Sequence, residues 1–184
     1  MKTKIDHSLA ISIKEGEILA DLVKKRDPRR VVEVGTGHGY STSWMLRNLS
    51  GNSILNTLDI KMRKIPYKIP HNMIFLNGKL SDYIYYFDKN KIKIDFLFLD
   101  SDHQIHNIVK DVEMILPHLT KKALVAVHDT IYCEEMGKCL SDYFNRLDSE
   151  RLKTVGVRPS EEKWIYKNHD TEYGLGVAIR GGDK

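Results

Sequence analysis

The chain has 184 residues, 41% of them hydrophobic and 29% charged, proportions that set aside disordered, collagen-like and coiled-coil architectures. A chain this long buries about 0.7 of its unfolded surface, enough for one real core, so a single domain over 1–184 is expected, with 1–27 as its lead. The net charge of +4 lets anionic partners approach without requiring them.

In chain order, the N-terminal MKTKIDHSLAISIKEGE has its apolar stretch broken by Lys14 and Glu15, which leaves no signal-peptide core. No apolar run comes near the roughly 20 residues of a spanning helix. A cytoplasmic protein that does not enter a membrane is therefore expected. A first helix is predicted where Ile18, Leu19, Leu22 and Val23 share a face, with Glu15 and Glu17 early and Lys24, Lys25 and Arg26 late, the order a helix dipole favours. Pro28 stops it.

Short β-rich runs follow, separated by helical ones: RVVEV (30–34), SILNTL (53–58), MIFL (73–76), IDFLFL (94–99), ALVAV (123–127), LKTVGV (152–157) and LGVAI (175–179). Their composition predicts seven strands. Between the fourth and fifth, IHNIVKDVEMIL places Ile105, Ile108, Val109, Val112, Ile115 and Leu116 at helical spacing, the pattern of a βαβ crossover in a doubly wound, mainly parallel sheet. Ligands of such sheets sit beyond the carboxyl ends of the strands.

The first strand runs into GTGHGYST and then a helical SWML, so Gly35, Gly37 and Gly39 fill the strand-to-helix turn. Glycine allows positive φ and close approach of a ligand, while a helix beginning near Ser41 favours an anionic group. Asp59 ends the second strand about twenty residues past Gly39, the distance of a carboxylate that accepts from a ribose diol. A nucleoside-like cofactor is implied. The spacing is G-x-G-x-G with Glu33 two positions before the first glycine, which favours S-adenosylmethionine (SAM) over a dinucleotide.

The fourth and fifth strands end in Asp100, Asp102 and His103, and in His128 and Asp129. Strands this apolar are buried on both faces, so their ends lie at a cleft. Clustered carboxylates need a cation or raised pKa values to coexist. Oxygen ligands suit Mg²⁺, and a histidine ligand widens the choice to Mn²⁺, Fe²⁺ or Zn²⁺. His103, with an ordinary pKa of about 6.5, suits a general base; a substrate contact or a helix-start hydrogen bond are its other readings. Asp102 and Asp129 have alternative readings as helix N-caps.

VVEVGTGHGYST resembles motif I of class I SAM-dependent methyltransferases, and EGEILADLV resembles the lead-in helix of the catechol and caffeoyl-CoA O-methyltransferase group. FLDSDH…AVHDT is similar to the metal-binding pattern of that group, and closer to the form in sugar and macrolide O-methyltransferases and cephalosporin hydroxylase-like proteins. The resemblance implies a Rossmann-like α/β fold: a doubly wound seven-stranded mainly parallel sheet, helices on both faces, last strand antiparallel. It places Glu33, Gly35 and Gly37 at the methionine end of SAM, Ser41 at its carboxylate, Asp59 at the ribose and Gly78, Lys79 and Leu80 at the adenine, with Thr36 and Tyr40 also among the cofactor-binding residues. Asp100, His128 and Asp129 take the metal positions, Asp100 also bordering the cofactor. His103 stands where the catechol group has its lysine base, and in the sugar branch the base falls to Asp102.

The activity so implied is divalent-metal-dependent O-methylation of a hydroxyl on a small molecule. Two alternatives remain: a SAM-binding protein without catalysis, and an RNA methyltransferase guided by Lys61, Arg63, Lys64, Lys68 and Lys79, whose stretch 61–81 holds no acidic residue. A solvated loop explains that stretch equally, and no N-P-P-Y-type motif follows the fourth strand, so nucleic acid is the weaker partner. With only a short N-terminal lead, no large substrate cap is expected; the oligomeric state stays open, a homodimer that completes the cleft being one reading. Tyr132, Trp164 and Tyr166 are candidate substrate walls or surface packing. Cys133 and Cys139, six residues apart, would be separated by roughly 9 Å of helical rise, too far for a disulfide, and are read as packing residues.

Overall fold

A computed structural model describes residues 11–61, 63–101, 104–131, 135–147 and 164–181. Seven strands, β1 (Arg30–Val34), β2 (Ile54–Asp59), β3 (Met73–Asn77), β4 (Ile94–Leu99), β5 (Leu119–His128), β6 (Trp164–His169) and β7 (Leu175–Arg180), form one sheet in the order β3-β2-β1-β4-β5-β7-β6. Strands β1 to β5 pair in parallel, while β7 is antiparallel to both β5 and β6. The expected doubly wound sheet with its final strand reversed is present.

The helices are α1 (Ile13–Arg26), α2 (Tyr40–Leu46), α3 (Leu80–Lys89), α4 (Ile105–Ile115) and α5 (Met136–Asn145). Side chains of a strand alternate between faces, and the core divides accordingly. Val32, Val34, Leu97, Leu99, Val125 and Val127 pack with α3, α4 and α5, whereas Val31, Phe96, Phe98, Leu124 and Ala126 pack with α1 and α2. The central strands are buried on both faces, hence their unbroken apolar runs.

One expectation needs adjustment, and others fall on residues that are not described. The run LKTVGV lies outside the described residues, as do Cys133 and Tyr132. Strand β6 falls instead at Trp164–His169, so Trp164 and Tyr166, read as candidate substrate walls or surface packing, belong to the sheet. Among the described residues this strand pairs only with β7 and lies at the sheet edge, so just one side of WIYKNH meets the core: Trp164 is buried, Tyr166 is half-buried, and Ile165 and Lys167 are exposed.

After β3 the chain returns across the sheet, so β1 and β4 lie side by side at the point where the strand order reverses. That switch point sets Gly35 and Asp100 next to each other, each one residue past its strand.

Candidate active site

The turn after β1 takes its shape from three glycines, all at positive φ: 102° at Gly35, 52° at Gly37 and 79° at Gly39. A Cβ on Gly35 would fall on the carbonyl of Asp100, far inside van der Waals contact, whereas a Cβ on Gly37 would meet nothing within 4 Å. The first glycine therefore lets two backbones touch, and the second faces open space. Leu58 carbonyl accepts from the N–H groups of Gly35 (2.8 Å) and Thr36 (3.1 Å), and Val34 carbonyl accepts from Asp100 N–H (2.8 Å). Asp59 completes the frame, its carboxylate accepting from Gly37 N–H at 2.8 Å and Lys61 N–H at 3.0 Å. Tyr67 closes over the turn, its hydroxyl donating to Gly39 carbonyl at 2.9 Å.

Glu33 is fully buried beneath this turn. Its carboxylate accepts from the hydroxyls of Ser41 (2.5 Å), Thr42 (2.6 Å) and Thr57 (2.7 Å). Burial raises its pKa to about 7 against the pull of those three bonds, and the nearby Asp100 charge adds to the rise. Thr36 and Thr57 share a further hydroxyl contact of 2.5 Å. Of the remaining cofactor candidates, Tyr40 opens α2, and Gly78 stands at φ 148° before α3. Lys79 is exposed with its N–H on Asp82, and Leu80 is buried in the core.

At the ends of β4 and β5, Asp100, His128 and Asp129 each bring a ligand-type atom within 4.8 Å of the others. His128 Nδ1 lies 3.1 Å from Asp100 Oδ1 and 3.2 Å from Asp129 Oδ2. Asp129 adopts φ 59°, a left-handed conformation that aspartate tolerates. The helix that follows, α5, begins only at Met136 with Glu135 at its N-cap position, so the alternative of Asp129 as its N-cap does not hold. On the other ring nitrogen, His128 Nε2 lies 3.2 Å from Glu15 Oε2. Burial works against a charged imidazole, but the bonds to Asp100, Asp129 and Glu15 outweigh it and push the His128 pKa up to about 12. Without a metal the three carboxylates thus favour a proton on the imidazole. Coordination through Nδ1 would replace that proton with a cation.

A family model described as a methyltransferase domain matches residues 32–130, which run from β1 through the glycine turn to the residue after Asp129. The chain belongs to this methyltransferase-domain family. A Mycolicibacterium vanbaalenii protein named provisionally as an O-methyltransferase is 40% identical over 52 residues, or 28% of this chain and 23% of the relative. The match thus spans about a quarter of that relative. Among solved structures, the O-methyltransferase TomG from Streptomyces achromogenes superposes with a TM-score of 0.69 at 19% identity, covering 95% of this chain and 82% of TomG. The O-methyltransferase from Bacillus cereus gives 0.64 at 18% identity, covering 94% and 83%. This methyltransferase domain therefore has the class I fold of those enzymes.

Both candidate bases, Asp102 and His103, lie outside the described residues. The five basic side chains of 61–81 are exposed, as a solvated loop requires. Sequence reading missed the partner of His128, since it counts Glu15 only as a helix-dipole charge. Glu15 is fully buried, and two signals pointed there. Ser12 and Glu15 have the spacing of a capping box, and Glu15, Leu19 and Val23 recur every fourth residue on the buried face of α1.

Proposed function

We propose that the protein is a divalent-metal-dependent SAM O-methyltransferase acting on a hydroxyl of a small molecule of sugar, catechol or natural-product type. The observation that carries this reading is the convergence of Asp100, His128 and Asp129 directly behind the glycine turn, with the Asp100 backbone against Gly35. The solved relatives support the choice of cofactor: TomG was crystallised with SAM, and the Bacillus cereus enzyme with S-adenosylhomocysteine (SAH).

The residues fit both groups. Open space above Gly37 suits a ligand approaching the backbone. Each Asp59 oxygen accepts one backbone N–H, which leaves it further acceptor capacity for a ribose diol. Two carboxylates and one imidazole suit Mg²⁺ or Mn²⁺, and also Fe²⁺ or Zn²⁺. SAM supplies a sulfonium methyl, and a divalent ion lowers the pKa of a hydroxyl that would otherwise be about 10 or higher.

The chain's own part is placement. Glu33 fixes Ser41, Thr42 and Thr57 around the turn, so that Ser41 would meet the methionine carboxylate, with Thr36 and Tyr40 also beside the cofactor. Gly78, Lys79 and Leu80 border the adenine. Asp100, His128 and Asp129 would hold the ion, and His103, or Asp102 in its stead, would remove the hydroxyl proton. Orientation of acceptor and methyl donor then supplies most of the acceleration.

Calorimetry with SAH, with and without EDTA, is the first test; wild-type protein that binds no SAH defeats the proposal. Methyl transfer to a catechol and sugar panel is expected to require Mn²⁺ or Mg²⁺ and to disappear in Asp129→Ala while SAH still binds. Transfer that is indifferent to both EDTA and Asp129→Ala would remove the metal from the mechanism.

A further inference from the structure

Glu15 has no part in the chemistry described above, yet both of its carboxylate oxygens are engaged beside the site. Its Oε1 accepts from Thr171 Oγ1 at 2.7 Å and Tyr173 N–H at 3.1 Å. Its Oε2 accepts from Ser12 N–H at 2.7 Å and Ser12 Oγ at 2.8 Å, and faces His128 Nε2 at 3.2 Å. A buried carboxylate with donors on both oxygens has no place for a proton of its own. The hydrogen shared with His128 therefore belongs to Nε2.

That assignment determines what the opposite nitrogen can do. A neutral imidazole with hydrogen on Nε2 presents its lone pair at Nδ1, the atom that lies 3.1 Å from Asp100 Oδ1 and 3.2 Å from Asp129 Oδ2. Glu15 is itself anchored from two directions, by Ser12 at the start of α1 and by Thr171 and Tyr173 between β6 and β7. The Tyr173 ring meets the imidazole edge-on with centroids 5.8 Å apart. The ring is held from behind, and its front faces the two aspartates.

We propose that Glu15 is a positioning residue for a divalent ion: it fixes His128 as the Nε2–H tautomer, so that Nδ1 completes a ligand set with Asp100 and Asp129. This rests on the metal-dependent reading of the site. Outer partners of ligating histidines typically change metal affinity about 10- to 100-fold when removed.

The test has two arms. In Zn²⁺-loaded wild-type protein with ¹⁵N-labelled histidine, long-range ¹H–¹⁵N correlation is expected to show His128 with hydrogen on Nε2 and a Zn²⁺-shifted Nδ1. Coordination through Nε2 would overturn the assignment without any variant having to fold. In the second arm, calorimetry with Mn²⁺ in cofactor-free protein is expected to show an affinity loss of about 10- to 100-fold for Glu15→Ala. Glu15→Gln, which keeps one acceptor oxygen, should fall between it and wild type. Leu19→Ala, one turn further along α1 and equally buried, should bind Mn²⁺ as wild type does. Equal losses in Leu19→Ala and Glu15→Ala would reduce Glu15 to a structural tie and refute its positioning role. Wild-type protein that binds neither Zn²⁺ nor Mn²⁺ would remove the metal-dependent reading and this inference with it; metal bound through Nε2 would remove this inference alone.

Discussion

Gly35 and Gly37 differ by two positions and should fail in opposite ways. At Gly35 an alanine meets two costs. The φ of 102° is a strained conformation for an L-residue, worth about 1–3 kcal/mol, and the new Cβ collides with the Asp100 carbonyl. That atom is backbone, in a residue whose N–H donates to the Val34 carbonyl at the end of β1, and it can give way only by moving the sheet, an overpacking cost of about 1–3 kcal/mol. The sum, about 4 kcal/mol, is a large fraction of an ordinary domain's stability of roughly 5–15 kcal/mol. At Gly37 the φ is 52° and the Cβ meets nothing, so only the left-handed strain of about 1–2 kcal/mol applies. Urea unfolding followed by circular dichroism should therefore show Gly35→Ala as the far more destabilised variant. Calorimetry with SAH should show the reverse for Gly37→Ala: a folded protein whose affinity is reduced, because the methyl occupies the space a ligand would take. A Gly35→Ala loss below 1 kcal/mol would refute the reasoning about the β1–β4 contact, and unimpaired SAH binding by Gly37→Ala would place the cofactor elsewhere.

Three further outcomes follow from particular residues. Glu33 has a folded pKa raised from 4.5 to about 7, so its protonated form is favoured by folding. Its contribution is full below pH 4.5 and is lost as pH rises toward 7, a change of about 3 kcal/mol; the stability of wild type minus that of Glu33→Gln should fall across that window, and a difference that rises with pH in urea unfolding would contradict it. Asp129→Asn keeps a side chain that tolerates φ 59° but removes a ligand charge, so calorimetry should show at least about tenfold weaker Mn²⁺ binding with an unchanged far-ultraviolet spectrum. Phe144 is almost fully buried and packs against Trp164 and Tyr166 at centroid distances of 5.2 and 5.9 Å; Phe144→Ala should lower stability by about 3–5 kcal/mol in urea unfolding, leaving SAH affinity intact.

The central sheet was legible because each of its strands carries its own signal. RVVEV, IDFLFL and ALVAV are apolar on both faces, and both faces are covered. The glycine turn was legible for a similar reason: the need for positive φ is local, and Gly35, Gly37 and Gly39 all adopt it. Strand β6 was not. An edge strand with one solvent face needs no apolar run, and WIYKNH reads like the polar sequence on either side of it until β7 pairs with it.

The sequence by itself determined the period of each element, the glycines at the first strand end and the acidic residues at the later ones, since these follow from what neighbouring residues can do with one backbone. Only the tertiary structure decided which of those groups meet. His128 and Glu15 are 113 residues apart, and they face each other because α1 packs on the sheet with its Glu15, Leu19 and Val23 face inward. Whether a buried carboxylate is a helix-dipole charge or the partner of a ring nitrogen depends on what the fold brings to within about 3 Å of it, and local propensity carries no record of that distance.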